Sequence, residues 1–179
     1  PVTGIWQSVW LEAVPKVHLD HLRLEPNIDE GHVAVHYWVN GLEGPVTLAC
    51  QARSADHLVS SMSVELTPRY DRFSEVISRN YGSFTLPIPN PRLWSPENPH
   101  LYDLEFRILQ GDAVVDEVST YVGMRKISVQ DGKVYLNNAP YYLRMVLDQG
   151  YWPEGIYTAP TVEAIRRDVE LTKAFGFNG

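Results

Sequence analysis

Hydrophobic positions recur at every second residue through most of the first 122 positions, then switch to a helical spacing near the end of the chain. Alternation of period two marks half-buried strands, because successive strand side chains point to opposite faces. It predicts strands over 5–14, 17–24, 32–39, 46–53, 58–66, 73–77, 83–88, 101–109 and 113–122. In the third of these, Val33, Val35, Tyr37 and Val39 fall on one face and Ala34, His36, Trp38 and Asn40 on the other. Val46, Leu48, Cys50 and Ala52 form another inward set, and Tyr102, Leu104, Phe106 and Ile108 a third. The alternation weakens over 58–66 and 73–77. In 5–14 both faces carry large apolar groups, Ile5, Val9 and Leu11 against Trp6 and Trp10, so the expectation is a strand covered on both sides.

Turn chemistry supports the divisions. The segment 26–31, Pro-Asn-Ile-Asp-Glu-Gly, joins two strands, and Asn40-Gly41 and Glu43-Gly44-Pro45 mark the next breaks. Pro87, Pro89, Pro91, Pro96 and Pro99 forbid helix or central strand and predict an extended connection, with Trp94 as an apolar plug holding it on the strands. Asp131-Gly132 is a two-residue hairpin signal between 127–130 and 134–136. A second turn follows at 137–140, and 141–147 is expected to be a mostly buried strand running into the polar and aromatic cluster from Asp148 to Trp152. Then Val162, Ile165, Val169 and Thr172, with Leu171 and Phe175 alongside, lie at helical spacing. Thr161 is the expected N-cap, Glu163 and Lys173 suit the helix dipole, and Gly176 closes the helix over 162–174.

The predicted fold is mainly β: an immunoglobulin-like antiparallel β-sandwich, followed by a hairpin, a strand and one α-helix. A strand that ends in a polar loop and passes into a helix is how a β/α barrel begins.

Composition narrows the classes. The 179 residues are 44% hydrophobic and 21% charged, which suits a packed core rather than disorder. The net charge of −7, with no basic stripe, argues against nucleic acid and anionic membrane as partners. The N-terminus carries no basic region followed by an apolar run. The one cysteine, Cys50, has no partner for an internal disulfide and fits a small core residue. His18 and His21, three apart in a strand, are expected to face opposite sides, and His32 and His36 lie far apart, so no metal site and no cofactor are expected.

Three blocks, in order, carry a family resemblance. The passage from Gly123 through Lys126, Asp131-Gly132 and Arg144 to Asp148-Gln149-Gly150-Tyr151-Trp152-Pro153-Glu154-Gly155 resembles the point in family 2 glycoside hydrolases where an immunoglobulin-like domain hands over to the catalytic barrel. Family 2 is the β-galactosidase, β-glucuronidase and β-mannosidase group. Thr3-Gly4-Ile5-Trp6-Gln7-Ser8-Val9-Trp10-Leu11 resembles the closing strand of the family's sugar-binding jelly roll. Leu93-Trp94-Ser95-Pro96-Glu97-Asn98-Pro99-His100-Leu101-Tyr102 resembles a late block of its immunoglobulin-like domain. Met145 and Asn138 stand where the family has Gly usually and often, respectively.

The resemblance implies three parts. Residues 1–14 would be the last strand of a jelly roll, 15–125 an immunoglobulin-like sandwich, and 126–179 the first strands and helix of a TIM barrel. It implies a piece of a larger retaining β-glycosidase whose two catalytic glutamates lie on later barrel strands. Residues 126–179 are far fewer than the roughly 250 of a complete barrel, so no catalytic residue is expected in this chain. Glu154 fits a solvated loop and Glu163 a helix first turn. Asp148, Gln149 and Trp152 are the expected substrate contacts of the complete enzyme, the first two to sugar hydroxyls and Trp152 by stacking. The competing reading is that they only brace their loop. Arg144 is expected to hold either a barrel-floor carboxylate or an ordinary salt bridge. The expected partners are a carbohydrate substrate, the protein's own jelly-roll and barrel domains, and a second copy through uncovered edges. The alternative function is a stand-alone carbohydrate-binding or adhesion sandwich.

Overall fold

The structure is a computed structural model and describes residues 4–5, 7–68 and 80–179. Among the described residues ten strands and one helix are assigned: β1 (His18–Asn27), β2 (His32–Asn40), β3 (Val46–Ser54), β4 (His57–Leu66), β5 (Asn80–Pro87), β6 (Tyr102–Gln110), β7 (Ala113–Val122), β8 (Ile127–Gln130), β9 (Lys133–Leu136), β10 (Ala139–Pro140) and α1 (Val162–Ala174). The expected strand at 73–77 lies outside the described residues. No helix among the described residues is long and apolar enough to cross a membrane.

Strands β1–β2–β5 form one antiparallel sheet and β4–β3–β6–β7 another. The inward sets read from the sequence meet between them: Val33, Val35, Tyr37 and Val39 from β2, Val46, Leu48, Cys50 and Ala52 from β3, and Tyr102, Leu104, Phe106 and Ile108 from β6 are all buried. Leu86, Ile88, Val122 and Met124 complete the core. This is the two-layer sandwich that the alternation predicted. Two edges are tied by a hydrogen bond from Leu19 N in β1 to Asp116 Oδ2 in β7, at 2.7 Å.

Bulges explain where the alternation faltered. In β1 the register shifts between Leu19, opposite Val39, and His21, opposite Trp38. The core-facing residues therefore pass from Val17 and Leu19 to Leu22 and Leu24. One extra residue in a strand reverses the phase of everything beyond it. The expectation that His18 and His21 face opposite sides is corrected here: their partners Asn40 and Trp38 are two apart on β2, so the two histidines share a face. A second bulge, at Val59 between Ala52↔Ser60 and Arg53↔Leu58, breaks the phase at the start of 58–66.

The strand expected over 5–14 does not form among the described residues: no pairing precedes His18, and Ile5, Val9, Trp10 and Leu11 are exposed. A lone strand has no ladder for its backbone groups, and no described strand lies beside this one. The chain then packs closely where it enters β1. A Cβ on Gly41, whose φ is +76°, would sit 1.7 Å from the Lys16 carbonyl oxygen, so only glycine fits.

Pro87 ends the edge strand β5, and the connection through the remaining prolines is neither helix nor strand, as expected. Trp94 is half-buried, and its backbone N–H bonds to Met124 O at 2.9 Å. Hairpin β8–β9 closes through Asp131 and Gly132, both at positive φ (48° and 70°), as the type I′ turn requires. Asn137 and Asn138, also at positive φ, then turn the chain back into β10.

Candidate functional site

The expected site lies where the chain leaves β10. The strand expected over 141–147 is not assigned, and most of the segment is exposed rather than buried: Tyr142 and Leu147 are 80% and 82% accessible. One short neighbour is present. Asn178 N donates to Arg144 O at 2.9 Å, and Val146 N donates to Gly179 O at 3.0 Å. Residue numbers rise together in these two bonds, so 144–146 and 178–179 run in the same direction. Helix α1 lies between them in sequence, so the chain follows the course of a β-α-β unit, although neither segment is assigned as a strand. Asn178 strengthens it: its side-chain oxygen accepts from Arg144 N at 2.7 Å, and its amide donates to Tyr142 O at 2.9 Å. Two partnering residues are too few for a strand to be assigned, and one flank is left to solvent.

Among the described residues Arg144 meets no carboxylate. Its Nε donates to Gly176 O at 2.6 Å, holding the end of α1 against the segment.

Helix α1 is built as its sequence predicts. Thr161 Oγ1 accepts from Ala164 N at 3.1 Å. At the other end Gly176 N bonds to Lys173 O and Phe177 N to Thr172 O, around Gly176 at φ +85°. That double bond pattern is the Schellman ending. The helix buries no residue fully: Val162, Ile165, Val169 and Phe175 remain exposed.

Asp148 and Gln149 line a cleft of about 660 Å³ with Val146, Leu147, Tyr151, the α1 residues Asp168 and Leu171, and the C-cap Phe175. Asp148 also braces its own loop, accepting from Gly150 N at 2.7 Å. Trp152 does not line this cleft. Its backbone pairs with Ile156 through bonds of 2.8 and 2.9 Å, closing a small loop in which Ile156 holds a positive φ of 57°. A β-branched residue rarely adopts that backbone, so the loop is held by its surroundings. Gly155 is required there, since a Cβ would lie 1.9 Å from Thr158 O. Glu154 and Glu163 are exposed, Glu163 in the first turn of α1.

Two features escaped the sequence reading. Asp168 joins Asp148 at the cleft, and its spacing from Ile165, Thr172 and Phe175 around the helix is the signal that marks it. The second is a tyrosine pair flanking the Trp152–Ile156 bridge. Tyr151 and Tyr157 bring their hydroxyls to 2.8 Å and their rings to 4.8 Å. The hydrogen bond to Tyr151 holds the Tyr157 hydroxyl above the ordinary value of 10.0. The near-symmetric order Tyr151-Trp152-Pro153-Glu154-Gly155-Ile156-Tyr157 around a Pro-Glu-Gly centre is its trace in the sequence.

A wider cleft of about 730 Å³ separates this unit from the sandwich, with Trp94, Pro96 and Glu97 on one wall and Arg144, Asp168 and Lys173 on the other. Chemically, these clefts offer carboxylates, an amide and aromatic faces, a set suited to hydroxyl-rich ligands. Among the described residues no group of three or more His, Cys, Asp or Glu converges as a metal site.

Residues 17–125 match the model of glycosyl hydrolases family 2. A β-galactosidase of Leuconostoc mesenteroides is 29% identical over 99% of this chain and 17% of its own length. The crystal structure of a Bacteroides uniformis β-glucuronidase superposes with a TM-score of 0.82 at 24% identity, over 98% of this chain and 22% of that one. A glycosyl hydrolase family 2 member from Bacteroides cellulosilyticus superposes with a TM-score of 0.77 at 25% identity, over 92% of this chain and 22% of its own. The chain spans about one fifth of the length of the curated relatives it matches.

Proposed function

We propose, with the chain's membership of glycosyl hydrolases family 2 as the premise, that it is the non-catalytic supporting part of a retaining β-glycosidase. In this reading residues 15–125 are the immunoglobulin-like domain, 126–179 open the catalytic TIM barrel, and 1–14 close a preceding jelly roll. The observation that carries the reading is the pair of backbone hydrogen bonds that set 144–146 and 178–179 parallel on either side of α1, the course of a β-α-β repeat. A barrel is assembled from repeats of that unit. Retaining hydrolysis needs two carboxyl groups about 5–5.5 Å apart, and the family resemblance puts both on later strands, outside these residues.

Asp148, Gln149 and Trp152 are then contacts of the complete sugar site. Asp148 and Gln149 stand at the end of the first barrel strand, where functional groups of such barrels gather. Trp152 lies one loop further on, where an additional element of the barrel would have to close over it.

The test has two arms. This chain, assayed on nitrophenyl β-glycosides, is expected to give no turnover above buffer. A longer protein that carries two downstream barrel glutamates is expected to hydrolyse one of them with retention. In that protein Asp148→Ala should raise KM about 10-fold or more, the loss of a hydrogen bond to a charged group being worth roughly 1.5–3 kcal/mol. Robust turnover by the 179-residue chain itself, or an unchanged KM, would count against the reading.

A further inference from the structure

We infer that Asp29 is the lock of a two-point hinge that sets the orientation of the β8–β10 hairpin, and of the chain beyond it, on the sandwich. The claim concerns this chain's own mechanics and stands whether or not the glycosidase reading holds.

Four residues at the base of the hairpin reach two separate loops of the sandwich. The first attachment is to the proline-rich connection. Asn137 Nδ2 donates to Trp94 O at 2.9 Å, while Asn137 Oδ1 accepts from Lys126 N at 3.0 Å. The Arg125 guanidinium sits 4.5 Å from the centre of the Trp94 ring, and Asn137 N bonds back to Lys126 O at 2.8 Å. These bonds gather at one place, around Trp94. A hairpin held only there can swing about it, because contacts that converge on one residue leave rotation about that point unopposed.

The second attachment supplies the angle. Asp29 lies in the β1–β2 turn, whose shape is held by Asn27 Oδ1 accepting from Asp29 N and Glu30 N, both at 3.1 Å. Each carboxylate oxygen of Asp29 takes a different donor from the hairpin: Lys126 Nζ on Oδ2, and Asn138 Nδ2 on Oδ1 at 2.7 Å. The two donors come from opposite ends of the hairpin, before β8 and after β9. One carboxylate therefore grips both strands of the hairpin base. Two anchors on different loops remove the swing that one anchor permits.

The experiment is a distance measurement within this chain between spin labels at Ser61→Cys on β4 and Lys133→Cys on β9, both exposed sites. Cys50 is buried and stays unlabelled. The parent is expected to give one narrow distribution, and Asp29→Ala one at least about twofold broader. The exchanged pair, Asp29→Lys with Lys126→Asp, should narrow it again, the Asn138 amide turning over to offer its oxygen. Hydrogen exchange at Val35 and Phe106 should not change in any of these, since neither residue touches the lock. An Asp29→Ala distribution as narrow as the parent's would overturn the inference. So would broadening accompanied by lost protection at Val35 and Phe106, or an exchanged pair that stays broad.

Discussion

Tyr37 and Gly82 are cross-strand partners on β2 and β5, and the tyrosine occupies the space the glycine leaves open. A Cβ built on Gly82 would lie 2.4 Å from Tyr37 Oη and 2.8 Å from Cζ. Tyr37 is 5% accessible and rigid, so it has nowhere to retreat. An aromatic ring laid across a strand glycine repairs the packing that the missing side chain would otherwise forfeit. Gly82→Ala is therefore expected to destabilise the sandwich by about 1–3 kcal/mol, or roughly 2–10 °C in Tm. A thermal melt coincident with the parent's would refute the close contact.

Glu25 gives the fold a defined response to acid. Its carboxyl is held below the ordinary value of 4.5, chiefly by the hydrogen bond with His36 Nε2 at 3.1 Å and then by Arg23. A group depressed in the folded state adds stability above its ordinary value and loses it as pH falls through the depressed one. The parent should exceed Glu25→Gln in stability by a small margin above about pH 5, and the two should converge as the pH drops below 4.5. The Glu25 side chain is 45% accessible, so solvent screens the interaction and the margin is modest. Urea titrations at several pH values measure it; a gap that widens on acidification is the contrary result.

Cys50 is 1% accessible, and burial pushes its thiol up to about 12. Both effects withhold the thiolate that reacts. Ellman's reagent is expected to label it only as fast as the sandwich opens, and at once in denaturant. Rapid stoichiometric labelling in native buffer is the outcome that contradicts this packing.

Helix α1 depends on its ends because its middle buries nothing fully. Thr161→Ala should weaken it by about 1 kcal/mol. The loss should appear in the carbon chemical shifts of 162–166 while the sandwich Tm holds. A fall in the sandwich Tm of the same size would mean that α1 and the sandwich unfold as one unit.

Tyr142, Leu147 and Phe175 are exposed around the β-α-β unit. Apolar surface gathered in this way favours association. The sedimentation coefficient is expected to rise with concentration, and Leu147→Ser with Phe175→Ser to flatten that rise. A coefficient independent of concentration in the parent would sink this expectation.

The sandwich was legible in the sequence because its core is written at period two. The inward residues of β2, β3 and β6 can be read off directly, and each is buried. Helix α1 and hairpin β8–β9 were equally plain, since Thr161, Gly176 and Asp131-Gly132 encode local geometry that depends on few neighbours. At the candidate site, Asp148 and Gln149 were singled out by an expected strand end and both line the cleft, whereas Asp168 and the Tyr151–Tyr157 pair emerge only when the helix and loop are folded.

What the sequence determined alone is therefore whatever follows from local backbone preference and side-chain period. Tertiary structure decided the rest. The side chains of 5–14 and 141–147 alternate or cluster as strands do, yet neither stretch is assigned as strand, because a strand exists only beside a neighbour that can take its hydrogen bonds. The bulge after Leu19 put His18 and His21 on one face, since register belongs to the pair of strands and not to either one. The attachment of Asp29 to Lys126 and Asn138, about a hundred residues away, depended on where two loops come to rest, which no local pattern records.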